Sequence, residues 1–322
     1  MLYPLKFTPQ LKERIWGGSW LTEQWHKPNP HSISRCGESW EICGFDNDCS
    51  VVANGFLAGN TLNEVAEIYM ADLLGDNVFD RFGLEFPLLI KFIDARDDLS
   101  VQVHPNDTVA QQQHQCMGKN EMWYVIEAQP NAMLTSGFNC TVTPAELQQR
   151  IAQGTLDQVL HREKVTPNDA LFIPAGRVHA IGQGILLAEI QQASDITYRL
   201  YDYNRTDQHG RKRDLHIEQA LAVANLTPTR TAKLPKPPAG QPLHSGEHFS
   251  VNRIQINQPT HRDLSLIDSF VIYICTHGTA TLQAPNQQPE SLSAGQTLLI
   301  PASIRNISIT PMQQTTLLEV YI

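Results

Sequence analysis

The strongest constraint on the fold is a short motif that occurs twice, once in the middle of the chain and once near its end. Leu171-Phe-Ile-Pro-Ala175 is repeated as Leu298-Leu-Ile-Pro-Ala302. In both copies turn residues precede a short apolar run that a proline ends, a pattern typical of a β-strand. When the two motifs are aligned, His179 corresponds to Asn306. The repeat predicts two copies of one β-barrel.

A second pair of segments supports this repeat. The run Trp-Tyr-Val-Ile at 123–126 resembles Val-Ile-Tyr-Ile at 271–274, and both have the aromatic and β-branched composition of strands. In that alignment Glu121 falls opposite Ser269. We therefore expect the first copy to keep candidate ligand residues that the second copy has lost.

The chain divides at a proline-rich segment. Residues 227–242 are rich in proline and poor in apolar residues, which indicates an extended linker. A chain of 322 residues also exceeds the size that one core usually serves. We expect one β domain over 1–226, with helical segments near 60–75 and 143–160, and a second β domain over 243–322. The predicted fold class is mainly β with a small helical insertion.

Composition and charge exclude several classes of function. The net charge of −9 argues against a nucleic-acid or membrane surface, which would need a basic face. No apolar run approaches the length of a membrane span, and the first residues do not resemble a signal peptide. The six cysteines are scattered without a CxxC pair, as expected for free thiols in a reducing compartment. These features predict a cytoplasmic protein.

The stretch Leu-Ser-Val-Gln-Val-His-Pro-Asn-Asp at 99–107 carries the first candidate site. Side chains alternate along a strand, so Gln102 and His104 lie on one face while Val101 and Val103 lie on the other. A polar pair at a strand end, backed by apolar residues, is consistent with half of a metal site. The alternative is a half-exposed strand whose polar face meets water.

Two further residues complete a candidate ligand set. Glu121 begins an aromatic strand, where a carboxylate is costly unless it is exposed or paired, and His179 follows the Ile-Pro-Ala-Gly turn. Imidazole, carboxylate and amide oxygen together suit a borderline divalent ion such as zinc. The lack of thiolate ligands favours a catalytic site over a structural one.

Lys91 lies within the apolar run at 86–95, which reads as a strand buried on both faces. Lysine is rarely buried without a partner. Either its ammonium group extends to the surface, or it points into a polar cavity and binds an anion.

Four motifs resemble, in order and spacing, those of class I mannose-6-phosphate isomerases, and most closely their short bacterial form. They are Val-Gln-Val-His-Pro-Asn-Asp (101–107), Gly-Lys-Asn-Glu-Met-Trp-Tyr (118–124), Ile-Pro-Ala-Gly-Arg-Val-His-Ala (173–180) and Glu-Ile-Gln-Gln-Ala-Ser-Asp-Ile-Thr-Tyr-Arg (189–199). The resemblance extends from Phe7 to about Leu226 and is weaker beyond.

The resemblance implies two cupin-type β-barrel (jelly-roll) domains, of which 1–226 is the catalytic zinc domain and 243–322 a degenerate copy. It also implies one zinc ion per chain, held by the residues Gln102, His104, Glu121 and His179. Arg199 matches the family's active-site arginine, and Lys119 matches a lysine that lines the substrate pocket.

The implied reaction interconverts mannose 6-phosphate and fructose 6-phosphate through an enediol(ate). A metal and fixed cations would stabilise the developing oxyanion, and Arg199 with Lys119 are the candidate cations. Glu189 is one candidate for the base that moves the proton; a zinc-bound water or His104 is another. Lys91 and Asp195 are candidates for substrate contacts.

The sequence leaves alternatives open. Glu189 could be a solvated strand residue, and Asp195 could form a structural ion pair with Arg199. The basic run Arg205, Arg211, Lys212 and Arg213 favours a solvated loop over a phosphate site. Rival functions are a metal cupin oxygenase and a non-catalytic sugar-phosphate-binding cupin. For the isomerase we expect a small-molecule sugar phosphate as partner, no nucleic acid or membrane, and a monomer or homodimer.

Overall fold

The structure is a computed structural model that describes residues 2–207, 209–238 and 240–322. It is mainly β with antiparallel sheets, which confirms the predicted fold class. The helices of the described residues are short: α1 (Trp20–Glu23), α2 (Leu62–Tyr69), α3 (Ala71–Leu74), α4 (Asp76–Phe82), α5 (Asp107–His114), α6 (Pro144–Gln153) and α7 (Ile217–Val223). Single 3₁₀ turns lie at Asp46–Asp48, Gly55–Leu57 and Leu156–Gln158. Within these ranges no helix is long and apolar enough to cross a membrane.

The first eleven strands form two sheets. They are β1 (Gln10–Gly18), β2 (Cys36–Ile42), β3 (Leu88–Ala95), β4 (Val101–Val103), β5 (Glu121–Ala128), β6 (Met133–Phe138), β7 (Leu160–Lys164), β8 (Ala170–Ile173), β9 (His179–Ile181), β10 (Ile185–Gln192) and β11 (Tyr198–Tyr201). The first sheet has the strand order β1-β2-β3-β10-β5-β8, and the second sheet has the order β11-β4-β9-β6-β7.

The remaining strands form a second pair of sheets. They are β12 (His244–Ser245), β13 (Ser250–Ile256), β14 (Thr260–Asp263), β15 (Val271–His277), β16 (Thr279–Gln283), β17 (Glu290–Ser293), β18 (Thr297–Ile300), β19 (Asn306–Pro311) and β20 (Thr315–Tyr321). The third sheet has the order β12-β13-β20-β15-β18, and the fourth sheet has the order β14-β19-β16-β17.

Hydrophobic clusters stack the four sheets face to face. Ile93, Trp123 and Leu134 belong to a cluster between the first and second sheets. Tyr124 and Ile272 belong to a larger cluster that joins the other face of the first sheet to the third. A separate cluster fills the space between the third and fourth sheets. The first sheet is therefore covered on both faces, and every residue of β3 and β10 is buried.

Strand alternation sorts the side chains of the first two sheets into inner and outer sets. In β3, Ile90 and Phe92 face the third sheet, so Lys91 and Ile93 face the second. In the second sheet, Val101 and Val103 of β4 pack outwards against a cluster that includes α6 and α7. The predicted site residues of both sheets consequently lie on the two inner faces, which look at each other.

The helical segment expected near 60–75 is broken rather than continuous. Thr61 caps α2 through a capping box with Glu64, as its sequence suggests, but Met70 adopts a positive φ of 43° and ends the helix. The break redirects α3, whose Leu73 and Leu74 carbonyl oxygens accept hydrogen bonds from backbone amides of Ala302 and Phe270. Contacts with the C-terminal sheets thus override the local helical pattern.

The helix expected near 143–160 begins and ends as predicted. Thr143 caps α6, Pro144 opens it, and Gly154 follows its last turn with a left-handed backbone. A 3₁₀ turn at Leu156–Gln158 follows. A further helix, α5, for which no prediction was made, follows β4 and is capped by the Asn106 side chain.

Strand pairing confirms part of the internal repeat and corrects part of it. β5 pairs with β8, and β15 pairs with β18, so both Leu-x-Ile-Pro-Ala motifs occupy the same place in their sheets. Glu121 pairs with Ile173. Ile300 is the counterpart of Ile173 in the second motif, and it pairs with Val271. The counterpart of Glu121 is therefore Val271, and the expected match with Ser269 is wrong by two residues. The similar composition of the two segments is enough to identify the corresponding strand. The register of the alignment is fixed only by the residues with which each strand pairs.

The proline-rich segment runs along the first two sheets. Isolated bridges pair Pro228 with Phe138 and Lys233 with Leu171. Lys233 also forms an ion pair with Asp169 at 2.9 Å. The division of the chain into domains at 227–242 stays a prediction.

A buried ion pair ties the N-terminal region to the third sheet. Lys27 Nζ lies 2.8 Å from Glu41 Oε1, and both side chains are almost fully buried. The same ammonium group donates to the Gly295 carbonyl oxygen at 2.6 Å, next to β18. Ser39 Oγ also donates to Glu41. Both charges are therefore compensated inside the protein.

We expect Lys27→Met to lower the free energy of unfolding by about 3–5 kcal/mol, because it leaves the Glu41 carboxylate buried without its counter-charge. Adding Glu41→Gln should recover part of that loss. Urea denaturation measures both effects. Lys6→Met is the matched control, since Lys6 and Glu290 form a half-exposed pair at 3.6 Å whose loss should change stability by about 1 kcal/mol or less. An unfolding midpoint for Lys27→Met equal to that of the unchanged protein would contradict this.

Candidate metal centre and active site

Three predicted metal ligands meet between the first and second sheets. Glu121 begins β5 in the first sheet, while His104 follows β4 and His179 begins β9 in the second. One candidate ligand atom from each lies within 4.8 Å of the others. His104 Nε2 is 3.2 Å from Glu121 Oε1, and His179 Nε2 is 3.5 Å from Glu121 Oε2. The sequence separates these residues widely, and the facing sheets bring them together.

Backbone carbonyl groups fix the orientation of both imidazoles. His104 Nδ1 lies 2.8 Å from the Ile196 carbonyl oxygen, and His179 Nδ1 lies 2.7 Å from that of Arg177. A carbonyl oxygen only accepts, so each Nδ1 carries the proton and each Nε2 presents a lone pair to the cluster. Burial, with the nearby Lys119 charge, lowers the pKa of His104 to about 3, and burial also lowers the pKa of His179. Both rings are neutral, as metal ligands must be.

Glu121 supplies the negative charge of the cluster. Burial opposes its ionisation, but His104 and Lys119 beside it hold the pKa of this carboxyl below its usual range. Among the described residues, His104 Nε2 and Glu121 Oε2 are two of four buried side-chain polar atoms without a hydrogen-bond partner. Unpartnered lone pairs in a dry site are costly unless a cation accepts them. This donor set fits a divalent metal ion.

Gln102 is the fourth predicted ligand and lies at the same place. It pairs directly with His179 across the β4–β9 ladder, and its amide nitrogen lies 3.3 Å from His179 Nε2. Rotation of the amide by half a turn would present its oxygen there instead, and the two orientations differ only in hydrogen bonding. The structure thus brings all four predicted ligands together.

A cavity of about 410 Å³ opens beside this cluster, between the two sheets. Gln102 and Glu121 form part of its wall. The other polar and charged residues that line it are Arg14, Glu38, Lys91, Ser100, Lys119, Glu189, Asp195, Thr197, Arg199 and Arg213. Lys91, Lys119, Glu189, Asp195 and Arg199, which were predicted to act on substrate, are therefore all in this wall, whereas the alternative base His104 is not.

Lys91 and Glu189 form a buried pair, which decides the alternatives left open for both. Lys91 Nζ lies 3.3 Å from Glu189 Oε2, and both side chains are about 5% exposed or less. Lys91 does not extend to the surface, and Glu189 is not a solvated residue; both of those alternatives are wrong. The physical reason is that both side chains point towards the second sheet, which covers that face of the first.

Burial disfavours a charge on either Lys91 or Glu189, and neighbouring charged groups shift the pKa of each. Burial alone would lower the pKa of Lys91, but Glu189 and Glu38 raise it, so the ammonium stays charged. Burial and the Glu121 carboxylate raise the pKa of Glu189 above its usual value, against the effect of Lys91. Trp123 Nε1 donates to Glu189 Oε1 at 2.8 Å and fixes the carboxylate in place. A buried carboxylate with a raised pKa is suited to proton transfer.

Arg199 faces the cavity from the second sheet. It pairs with Gln102 across the β11–β4 ladder, so it lies in one row with Gln102 and His179. Its Nε donates to Ser100 Oγ at 3.2 Å, and its Nη1 donates to the Asp214 carbonyl oxygen at 2.9 Å. Within the described ranges it has no ion pair with Asp195, whose side chain is exposed at the cavity wall. The alternative of a structural Asp195–Arg199 pair is therefore wrong.

Lys119 lies beside the metal cluster. Its Nζ is 3.4 Å from Glu121 Oε1, and its side chain is buried. The Lys-x-Glu spacing puts both residues at the entry to β5, on the side of the cavity. The ammonium group compensates charge of the buried Glu121 carboxylate.

Sequence reasoning missed three charged residues of the cavity. Arg14 and Glu38 come from β1 and β2 and form a paired contact, with Nη2 and Oε2 2.9 Å apart. Burial opposes ionisation of Glu38, but Lys91 and Arg14 lower its pKa to about 2. Arg213, which the sequence placed in a solvated loop, also lines the wall. Arg14 and Glu38 lie outside the four motifs, and only the long-range pairing of β2 with β3 shows their place.

Comparisons with known proteins agree with this geometry. Residues 4–133 match the family described as phosphomannose isomerase type I, catalytic domain. The mannose-6-phosphate isomerase ManA of Bacillus subtilis is 46% identical over 225 residues, which cover 69% of this chain and 68% of that protein. The crystal structure of a mannose 6-phosphate isomerase from Bacillus subtilis superposes with a TM-score of 0.88 at 32% identity, over 100% of both chains.

A zinc-bound crystal structure of a mannose 6-phosphate isomerase matches 99% of this chain and 99% of its own, with a TM-score of 0.77. At 18% identity this likeness shows a shared fold alone. The family assignment rests on the first two relatives, which share far more of their sequence with this chain. The chain belongs to the type I phosphomannose isomerase family, whose members also carry the name mannose-6-phosphate isomerase.

Proposed function

We propose that this chain is a zinc-dependent aldose–ketose isomerase that interconverts mannose 6-phosphate and fructose 6-phosphate through an enediol(ate). The observation that carries the proposal is the buried His104–Glu121–His179 cluster beside a cavity lined by Lys91, Glu189 and further cations. The names of the relatives in this family support the substrate.

Gln102, His104, Glu121 and His179 would hold one zinc ion per chain. Two neutral imidazoles, a carboxylate and an amide oxygen form a donor set without sulfur, which leaves room for a ligand from solvent or substrate. When bound, the ion would act as a Lewis acid that polarises a substrate oxygen. The described residues contain one cluster of this kind, consistent with one ion per chain.

Glu189 is the residue that we assign as the base. The reaction needs removal of the proton at C2 of the aldose; the C–H electrons form the C1=C2 bond while the carbonyl electrons move onto O1. Transfer of the O2 proton to O1 and delivery of a proton to C1, as the O2 electrons form the C2=O2 double bond, then complete the ketose. The raised pKa of Glu189 favours both steps near neutral pH. His104 is the weaker candidate because its Nδ1 proton is bound to the Ile196 carbonyl oxygen and its Nε2 faces the cluster.

Fixed cations would stabilise the negative charge that develops on the substrate oxygens. Arg199 and Lys119 face the cavity from opposite sheets, and buried hydrogen-bond donors act more strongly there than in water. Lys91 keeps the Glu189 carboxylate in place and adjusts its pKa. Asp195 lies at the wall and can accept a hydrogen bond from a sugar hydroxyl.

The assignment of metal ligands predicts that His104→Ala and Glu121→Ala lose bound zinc together with isomerase activity. Metal analysis of the purified proteins and a coupled assay with mannose 6-phosphate measure both. Circular dichroism should show that the sheets remain folded. His277→Ala is the control, since its exposed side chain lies at the end of β15 and should matter for neither. Full zinc occupancy in either ligand variant would refute the assignment.

Glu189→Gln should lower kcat by about 10²–10⁴-fold while zinc content stays unchanged. The base must be ionised, so kcat/KM of the unchanged enzyme should fall as the pH drops through the pKa of Glu189. That pKa is raised from 4.5, which puts this acidic limb above pH 4.5. The limb should vanish in the variant. Glu127→Gln, an exposed carboxylate on the neighbouring strand β5, is the control. Wild-type kcat for Glu189→Gln would exclude it as the base.

Metal removal separates an isomerase from a metal oxygenase. A chelator should abolish isomerisation, and added Zn²⁺ should restore it without oxygen consumption, because a redox-inactive ion suffices for proton transfer. An oxygen electrode and the coupled assay measure the two reactions. An iron requirement with oxygen uptake would support the oxygenase, and phosphate-dependent binding without turnover would support a non-catalytic sugar-phosphate protein.

A further inference from the structure

A buried glutamine lies where the backbone segments that carry the candidate metal ligands meet. Gln192 is the last residue of β10, three residues after Glu189, and its side chain is almost fully buried. It is neither a member of the His104–Glu121–His179 cluster nor one of the residues that line the cavity. A buried amide needs partners for both its oxygen and its nitrogen. The partners of Gln192 lie on two other segments of the site.

The side-chain oxygen of Gln192 holds the segment that carries Lys119 and Glu121. Gln192 Oε1 accepts hydrogen bonds from the Asn120 backbone amide at 2.9 Å and from Asn120 Nδ2 at 2.7 Å. The Gln192 backbone amide donates in turn to the Asn120 carbonyl oxygen at 3.2 Å. Asn120 lies between Lys119 and Glu121 in the chain. Three hydrogen bonds to one residue therefore fix the backbone from which both side chains start.

The side-chain nitrogen of Gln192 holds the segment that follows His104. Gln192 Nε2 donates to Asp107 Oδ1 at 2.9 Å, and the Gly118 backbone amide donates to the same oxygen at 2.8 Å. The two segments touch closely, because a Cβ atom at Gly118 would lie only 2.4 Å from the Asp107 backbone nitrogen. Asp107 is three residues beyond His104. Gln192 therefore joins the segment of His104 to that of Glu121.

Asn120 extends this connection to the segment of the third ligand. Its Oδ1 accepts a hydrogen bond from the Ala175 backbone amide at 3.0 Å, and Ala175 lies in the turn that leads from β8 to His179. The connection thus reaches the backbone segments of all three residues in the buried cluster. We call it the hydrogen-bond chain, and its members in order are Asp107, Gln192, Asn120 and Ala175.

The hydrogen-bond chain fixes the orientation of each amide in it. The Ala175 backbone amide only donates, so Asn120 presents Oδ1 to it and Nδ2 to Gln192. Gln192 must then present Oε1 to Asn120 and Nε2 to Asp107. A side chain at position 192 therefore needs an acceptor on one side and a donor on the other, and a hydrocarbon of the same length supplies neither.

The ligand cluster needs support of this kind. His104 Nε2 and Glu121 Oε2 have no hydrogen-bond partner, and the ligand atoms of the cluster lie within 4.8 Å of one another. Lone pairs that face each other repel, so contacts outside the cluster must hold the segments in place. A site whose ligands are already assembled binds its ion more tightly, because less ordering is left for the binding step.

We propose that Gln192 is a positioning residue of the metal centre, which holds the segments of His104, Glu121 and His179 so that their ligand atoms converge before the metal binds. The inference rests on the proposed function, because the ion is the zinc assigned there. The side-chain hydrogen bonds of Gln192 go to Asn120 and Asp107, so Gln192 acts through these residues and is not a catalytic residue.

Gln192→Met tests this, because methionine has a similar length but cannot replace the two hydrogen-bonding groups. We expect the dissociation constant for Zn²⁺ to rise about 10- to 100-fold, as for loss of a group that orients a metal ligand. Competition between the zinc-loaded protein and a chelating dye measures this constant. The loss of isomerase activity should shrink as the Zn²⁺ concentration is raised, because the bound ion then holds the ligands together.

Gln10→Met is the matched control. Gln10 Nε2 also bridges protein groups, since it donates to the Asp48 carbonyl oxygen at 2.7 Å, but it lies on β1 outside the hydrogen-bond chain. Its zinc affinity should equal that of the unchanged protein even if its melting temperature falls. A thermal melt checks that each variant is folded. If Gln192→Met is unfolded, Gln192→Glu replaces it, and the same direction of change is expected because glutamate keeps the acceptor for Asn120 but loses the donor to Asp107.

A double-mutant cycle tests whether the hydrogen-bond chain acts as one unit. Asn120→Ala removes its middle and leaves Gln192 in place, so the two substitutions together should weaken zinc binding by less than the product of their separate effects. Multiplicative effects, or an unchanged zinc affinity for Gln192→Met, would overturn the proposal while the isomerase function stands. If the unchanged protein binds zinc but interconverts no hexose phosphates, the proposed function fails, and the zinc affinities alone then decide the role of Gln192.

Discussion

The active site depends on one constraint: the first sheet is covered on both faces, so any charge on it must be neutralised inside the protein. Lys91, Glu189 and Glu121 all lie on the face that looks at the second sheet. Lys91 and Glu189 neutralise each other across neighbouring strands, and Lys119 lies against Glu121. Buried charges of this kind are retained only with partners at hand. The same contacts that make these charges tolerable also set their pKa values.

The second pair of sheets shows the same architecture with its buried carboxylate fully hydrogen-bonded by protein side chains. By strand pairing, Glu319 of β20 lies opposite Tyr273 as Glu189 lies opposite Trp123. Glu319 is also fully buried, but Arg262, Asn252 and Tyr273 donate to it and fill both of its oxygens. Glu189 has no arginine in that role. In the C-terminal copy of the repeat, side chains of the protein therefore hydrogen-bond the buried carboxylate completely. In the N-terminal copy, donor groups face a cavity.

The sequence predicts the mainly β fold, and it selects candidate ligands that the structure places close together, for reasons that are local. Gln102 and His104 share a face because a strand alternates, and α6 has its cap, proline and terminal glycine in sequence. What it misses depends on distant partners. The break at Met70 follows from hydrogen bonds to 270–302, and the burial of Lys91 follows from its pairing with Glu189 beneath the second sheet, which no local pattern predicts. Arg213 was misjudged because a basic run looks solvated until its buried counter-charge, Asp202, is seen.

The candidate ligands also explain why the two sheets must stay in register. Glu121 comes from the first sheet, whereas Gln102 and His179 face each other within the second. A cation held by all of them would bridge the sheets, and the edge-to-face contact of Trp123 with His179, at 5.4 Å between ring centroids, aligns the same two layers without it. Trp123 in turn donates to Glu189. A shift of one sheet against the other would therefore disturb the candidate ligands, the aromatic contact and Glu189 together, so the position of Glu189 is fixed by the packing that brings the candidate ligands together.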